Sequence, residues 1–478
     1  MGIYSMGIRC YWLGLRPSDI LLAGCAHIPK FSCASSISAD PLSTKLCKLI
    51  LITYRPYGMA SMRINKKQAG GISQGTTQPP TVLCVAGEAS GDQHAAAVVS
   101  ALRNFCPGVS VFGMGGSRLR EVGMETVVDS EQSAGVMGFS ELGGKIAELR
   151  RARTKLLAEV AKRKPDVALL VDFPDFNQIL GRSLKKQGIQ VFYFICPQMW
   201  AWRRGRAKFF RKFVDKLAVI FPFEESFCLD AGIDAQYVGH PFLDRPPLNL
   251  DRRAFLKEHG LDPDKPVVAL LPGSRAAEVR ELLPLMGAGA QKVAKVRTGL
   301  QLIVPVAHTI DSSEIKAYLG DAPNVVYLSG EARQALEVAD VAVVASGTAT
   351  VEAALARVPF FVVYRMNKIT YYLARLLVRG VDFFAMPNLI AGQKIVDEFL
   401  QNEVSADSIA RELERLLGDP VLRANLRDRL GLVEKRLRRG ADTSFSAGQR
   451  TARLLLDLVG WEDDTEQSSS SLFFRRGV

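Results

Sequence analysis

From Thr81 onward, short apolar runs alternate with longer stretches whose apolar positions recur every three or four residues. Residues 81–86 (TVLCVA) open the series, and a helical pattern follows over 94–105. Further apolar runs at 110–112, 167–171, 190–195 and 216–220 predict strands, with helical patterns at 139–163 and 178–187 between them. A second series begins after Arg245-Pro246-Pro247. Its strands are predicted at 267–271, 302–306, 325–328, 341–344 and 359–363, and its helices at 279–296, 334–338 and 349–356. Strands this short and continuously apolar are buried on both faces, so each series reads as a parallel sheet covered by helices. The fold class expected is α/β, with two doubly wound Rossmann-like domains facing a cleft. The expected boundaries are 1–80 for a leader and linker, 81–246 and 247–440 for the domains, and 441–478 for a C-terminal helix and disordered tail. The helical pattern of the C-terminal part runs from about Ser405 to Leu458.

Composition separates the leader from the rest. Of the net charge of +12, residues 1–80 carry +7, from nine Lys or Arg against Asp19 and Asp40. This segment is rich in Ser, Gly and basic residues and lacks sustained periodicity, as organellar transit peptides do. Residues 70–80 (GGISQGTTQPP) read as a linker. The basic balance is therefore mostly a property of the leader and argues only weakly for nucleic acid. Hydrophobic residues make up 48% of the 478 and charged residues 23%, which excludes wholesale disorder. No run of 18 apolar residues occurs, so a spanning helix is not expected. Cys84, Cys106, Cys196 and Cys228 lie apart in apolar runs with no CxxC pair. They read as reduced core residues rather than a zinc or redox site.

Ligands in doubly wound sheets bind beyond the carboxyl ends of strands, so the loops after strands are the candidates. Gly87-Glu88-Ala89-Ser90-Gly91-Asp92 follows the first strand and opens a helix. Its small residues admit a ligand to the backbone, and free N–H groups at a helix start suit an anion or a sugar. The plainer alternative is a turn capped by Ser90 or Asp92. In Asp172-Phe173-Pro174-Asp175-Phe176-Asn177 an apolar strand runs into an acid, which places Asp172 as a candidate general base. Asp175 reads better as a helix cap. Cys196-Pro197-Gln198-Met199-Trp200-Ala201-Trp202-Arg203-Arg204-Gly205-Arg206 joins two tryptophans to three arginines, a mixture suited to sugar stacking, a membrane interface or nucleic acid, or to plain core packing. Leu271-Pro272-Gly273-Ser274-Arg275 offers a phosphate clamp unless Arg275 pairs with Glu278. Ser346-Gly347-Thr348 opens a helix as a second anion site, and Glu352 one turn later is placed to receive ribose hydroxyls or to face the helix dipole.

Taken together, these loops and Pro387-Asn388-Leu389-Ile390-Ala391 resemble the lipid-A-disaccharide synthase family in the same order, from about Val82 to Leu458. The resemblance implies a GT-B glycosyltransferase fold and transfer of a 2,3-diacylglucosamine from UDP to 2,3-diacylglucosamine 1-phosphate, giving a β-1,6 disaccharide and UDP with inversion. It implies Asp172 as the base. It assigns Glu88, Ser90, Gly91, Asp92, Asn177, Trp200 and Trp202 to substrate, and Gly273, Ser274, Arg275, Ser346, Gly347, Thr348 and Glu352 to UDP. It implies no metal and no cofactor, and no DxD-type cluster stands at a strand end. The loop CPQMWAW, with Met199 before Trp200, departs from the Pro-Ser and β-branched residue that the family commonly carries before Trp-Ala-Trp. The leader has no bacterial counterpart and suggests a plant organellar form, the mitochondrion ahead of the chloroplast.

Acylated substrates imply a peripheral membrane surface. The expected docking element is 137–153, where Phe139, Leu142, Ile146 and Leu149 share a helical face next to Arg150, Arg151 and Arg153. The alternative is that this stripe packs on the sheet. The oligomeric state stays open, with a homodimer among the options. Competing functions are another UDP-sugar glycosyltransferase, a UDP-sugar 2-epimerase of the same architecture, or an organellar RNA-binding protein; the expectation is no nucleic-acid partner.

Overall fold

The computed structural model describes residues 77–131, 142–199, 204–307, 310–319, 324–365, 383–440 and 444–462. The chain divides into two units, residues 1–72 and 73–478, and every described residue belongs to the second. The leader, Trp200, Trp202, residues 137–141 and the tail from 463 fall outside the described residues.

The first sheet contains β1 (Thr81–Ala86), β2 (Ser110–Gly115), β3 (Glu125–Asp129), β4 (Val167–Val171), β5 (Gln190–Phe194), β6 (Lys216–Val219) and β7 (Ala235–Tyr237) in the order β3-β2-β1-β4-β5-β6-β7. The second contains β8 (Val267–Leu271), β9 (Gln301–Val306), β10 (Val325–Ser329), β11 (Val341–Ala345), β12 (Phe360–Tyr364) and β13 (Glu398–Leu400) in the order β10-β9-β8-β11-β12-β13. The strands pair parallel throughout both ladders. The expected pair of doubly wound domains is therefore what forms. The short edge strands β3, β7 and β13 were not among the predicted ones, because ETVVD, AQY and EFL carry too little apolar signal.

Alternation along each strand supplies two cores per sheet. In β1, Leu83 and Val85 enter one core with Leu156, Val160 and Leu180. Val82, Cys84 and Ala86 enter the other with Val98, Leu102, Leu455 and Leu456. The second core thus draws on two helices far apart in sequence, Ala89–Phe105 and Ala447–Val459. The latter returns from the second domain and closes the back of the first. Gly448 lies so close to Ala97 that a Cβ there would sit 3.1 Å from its backbone.

Two features orient the halves. Phe221, Phe223 and Phe227, at the start of and within the helix Pro222–Asp230, pack with Phe242 against the second domain's core. The Tyr237 hydroxyl, at the end of β7, donates to the Leu437 carbonyl at 2.5 Å in a buried setting. All four cysteines of the body are buried and none is in a disulfide among the described residues, with Cys196 Sγ and Cys228 Sγ 3.9 Å apart. Among the described residues no helix is long and apolar enough to cross a membrane.

Candidate functional site

In both sheets the strand order reverses at one place, between β1 and β4 in the first and between β8 and β11 in the second. Loops leaving neighbouring strands part to opposite faces there and open a crevice. The Gly87–Asp92 loop and the Asp172 turn flank the first crevice. Pro272–Arg275 and Ser346–Thr348 flank the second.

Asp172 directly follows β4 with φ 45°, and Phe173 comes next with φ 48°, so two consecutive residues other than glycine adopt positive φ. Each such residue is disfavoured by about 1–2 kcal/mol, and the surroundings hold the turn in place. The Asp172 carbonyl accepts from Asn177 Nδ2 at 2.8 Å and from the Tyr193 hydroxyl at 2.5 Å. Its N–H donates to the Phe194 carbonyl at 3.0 Å. The Phe173 ring lies directly over Gly87, where an added Cβ would meet it at 2.3 Å. Glycine at 87 is therefore a condition for the turn.

The Asp172 carboxyl is pushed up to about 6. Burial is the main cause and the nearby Glu88 carboxylate adds to it, while the Phe173 N–H and the charge of Arg275 act the other way. Arg275 belongs to the second domain, so its field reaches the first domain's acid across the cleft. Its own side chain is exposed and makes one ion pair, to Glu278 at 3.3 Å. Gly273 takes φ 111° with Glu278 folded against it. Ser274, Gly347 and Thr348 are exposed and Ser346 is half-buried, so the second crevice presents its loop surfaces to solvent.

Several assignments change. Asp92, expected at substrate, is 2% exposed, and its two oxygens accept from the backbone N–H groups of Gly116 at 2.6 Å and Arg118 at 2.9 Å. It is a strut between two loops. Asn177, also expected at substrate, is fully buried and holds the Val171 and Asp172 carbonyls from beneath. Neither Ser90 nor Asp92 caps its helix, whose N-cap is Glu88. Asp175 is not a cap but an exposed first-turn residue behind the N-cap Phe173. Asn388 of the Pro387–Ala391 motif is fully buried and satisfied by Val396, Glu398 and Ile395. Glu88 and Ser90 stay exposed at the crevice rim, with Gly91 buried beneath them.

One cluster went unread in the sequence. Glu352 Oε1 accepts from Arg245 Nη1 at 2.5 Å, and the Arg245 guanidinium lies 3.9 Å from the centroid of the Phe242 ring. His240, 2% exposed, follows β7 by three residues, and its Nδ1 accepts from the Phe242 N–H at 3.2 Å. Burial pushes His240 down to about 3 and His94 to about 4, helped by Arg245, so both imidazoles are neutral at neutral pH. A histidine before proline at a strand end, in Gly239-His240-Pro241, was the available signal. Tyr193 carried none, since it reads as one more strand residue.

The docking stripe expected at 137–153 is only partly within the described residues. Leu149 packs half-buried against the first domain's core, in line with buried Ala152, Leu156 and Val160. The described part of the stripe is thus core, while Arg150 and Arg151 are exposed.

Comparison with known proteins agrees with this geometry. The family described as lipid-A-disaccharide synthetase matches residues 82–443. The lipid-A-disaccharide synthase of Myxococcus xanthus is 43% identical over 384 residues, which cover 80% of this chain and 98% of that protein. That of Koribacter versatilis is 42% identical over 385 residues, covering 80% and 99%. Among solved structures, the UDP-GlcNAc 2-epimerase from Neisseria meningitidis bound to UDP-GlcNAc aligns with a TM-score of 0.54 at 12% identity, covering 79% of this chain and 99% of that one. The glycotransferase of kitacinnamycin aligns at 0.52 and 17% identity, covering 79% and 98%. The shared architecture is the two-domain GT-B fold.

Proposed function

Since the chain belongs to the lipid-A-disaccharide synthase family, we propose that it transfers 2,3-diacylglucosamine from UDP to 2,3-diacylglucosamine 1-phosphate with inversion, and that Asp172 is the general base. The observation that carries this reading is Asp172 itself. It is an acid at the first switch point, held in a left-handed turn, raised to about 6, and felt by Arg275 of the opposite domain.

The acceptor's 6-hydroxyl gives its proton to the Asp172 carboxylate while its oxygen attacks the donor's anomeric carbon. The bond to UDP breaks on the opposite face, and the pair of electrons leaves with the pyrophosphate. Arg275 and the N–H groups at Ser346–Thr348 neutralise the charge that develops there. Above pH 6 the base is mostly ionised, and burial keeps it basic enough to accept a proton; a positioned base contributes roughly 10²–10⁴-fold. Glu352 receives the ribose hydroxyls once Arg245 releases it. Glu88 and Ser90 at the first crevice's rim meet the acceptor sugar, and Trp200 and Trp202 belong to the same substrate side. The substrates are lipids, so the protein works at a membrane surface. The basic leader directs it to an organelle, the mitochondrion ahead of the chloroplast.

The test is incubation of the purified protein with both diacylated sugars, followed by mass detection of the disaccharide 1-phosphate. Conversion of UDP-sugars without acceptor would replace this reading with the epimerase one. An import assay with a leader fusion tests the address.

A further inference from the structure

We propose that the face made by the helices Pro174–Lys186 and Arg204–Phe210 docks on an anionic lipid bilayer and brings the Asp172 turn to the lipid surface. This rests on the transferase reading for its purpose but not for its evidence. Most large apolar side chains of the first domain are buried, yet Ile179 is 54% exposed and Phe209 50%. They belong to one patch. Ile179 and Arg182 are three apart on one helix and share its face, and the Arg182 guanidinium lies 5.8 Å from the Phe209 ring centroid. Lys212 approaches the same ring from the following turn, at 5.6 Å.

The surround is positive. Lys186 continues the face of Ile179 and Arg182, and Lys208 and Arg211 are exposed beside Phe209. Arg153 donates to Ser183 Oγ at 2.8 Å, which brings the basic helix Leu142–Arg163 alongside. Acids are few and placed elsewhere. The helix Arg204–Phe210 has none, Asp175 sits at the crevice end of its helix, and Asp215 is engaged by Lys185 at 2.5 Å.

An exposed aliphatic and an aromatic side chain ringed by Lys and Arg are what an interfacial surface needs. The apolar tips enter the boundary of the acyl region while the cations stay among the phosphates. A nucleic acid would satisfy the cations and stack on Phe209, but would leave Ile179 uncovered. The position suits the chemistry as well. Ile179 lies five residues beyond Pro174, about 7.5 Å along the helix axis, so a bilayer at this face holds lipid head groups within a short reach of Asp172.

The test is co-sedimentation of the full chain with phosphatidylcholine vesicles, with and without a third of phosphatidylglycerol. Binding is expected only to the anionic vesicles and should fall steeply with salt. The double variant Ile179→Ser/Phe209→Ser should lower partitioning at least about tenfold. Removing a cation should cost about fivefold each, so Arg182→Glu/Lys212→Glu should lose more than that twice over. UDP affinity and turnover on detergent-dispersed substrates should stay at wild-type levels in both, which shows that the fold and the site are intact. Wild-type vesicle binding by both variants overturns the proposal. So does wild-type protein that ignores anionic vesicles and instead binds structured RNA through these residues. If vesicle binding behaves as expected but detergent-dispersed substrates are never joined, docking stands and the transferase reading falls. If transfer survives while docking fails, the transferase reading stands and the docking face is overturned.

Discussion

Replacing Asp172 with asparagine should abolish turnover and, at the same time, make the protein more stable. The carboxyl titrates at about 6 in the folded chain against an ordinary value of 3.8. Between these values the folded state holds a proton that the unfolded state has released, so stability falls as pH rises through this window. Each separation of one pKa unit corresponds to about 1.4 kcal/mol, so the ionised carboxylate destabilises the fold by up to ~3 kcal/mol above pH 6. Water at its half-buried edge reduces that figure, and about 2 kcal/mol is the working expectation. Asparagine removes the charge, tolerates the left-handed conformation, can still accept from the Phe173 N–H, and offers an amide to Glu88. Urea denaturation of both proteins over a pH series is the assay, with UDP calorimetry as the control for an intact second domain. The stability difference should be near zero at about pH 4, grow through the window, and level off above about pH 7. Comparing the two proteins cancels His94 and His240. Their lowered values act with the opposite sign, so that they withdraw stability as pH falls below 6.5. A variant no more stable than wild type at neutral pH, or a difference that does not vary with pH, would refute the claim that the fold strains to keep an ionised base in place.

Tyr193→Phe deletes one of the two donors to the Asp172 carbonyl and, at a net value of about 1 kcal/mol, should lower kcat several-fold with UDP affinity unchanged; a matching loss of UDP affinity would mean general damage. Gly87→Ala drives a Cβ into the Phe173 ring and should cost about 1–3 kcal/mol of stability along with most of the turnover; a variant with normal melting and normal rate would show that the ring is not needed over the turn. Arg245→Ala frees Glu352 and should tighten UDP binding, whereas Glu352→Ala should weaken it about tenfold or more; calorimetry showing equal weakening by both would make Arg245 a nucleotide contact rather than a competitor. Arg275→Ala should raise the pKa of the acidic limb of the rate profile, since its charge favours the ionised Asp172; an unmoved limb would separate the two groups.

The sheets were legible because parallel strands buried on both faces write themselves as uninterrupted apolar runs. β4 and β8 emerge with the bounds that VALLV and VVALL suggest. The edge strands β3, β7 and β13 were not legible, since a three-residue strand such as AQY shows no pattern and forms only beside β6, whereas the more apolar edge strand β10 was predicted at 325–328. Asp172 was legible as an acid terminating an apolar run. Its companions divide by mechanism. Asp92 and Asn177 sit in motif loops and were read as substrate contacts, but both Asp92 oxygens and the Asn177 amide nitrogen are engaged by backbone groups that only the folded chain brings near. Arg245 and Glu352 stand 107 residues apart and meet through the domain arrangement, a juxtaposition no local pattern encodes.

The return of the helix Ala447–Val459 to the first domain also sets a timetable for synthesis. Arg450 donates to the Val238 carbonyl across 212 residues, and Leu455 and Leu456 complete a core begun at Val82. At ~5–20 residues per second the ribosome needs roughly 10–40 seconds to deliver them after β7 has emerged. For that interval the helix Ala89–Phe105 covers that face only over β1 and β4, and the part over β5 and β6 stays open. Phe192, Phe194 and Ala218 are then available to a chaperone, or to the wrong partner, before the protein's own last helix arrives.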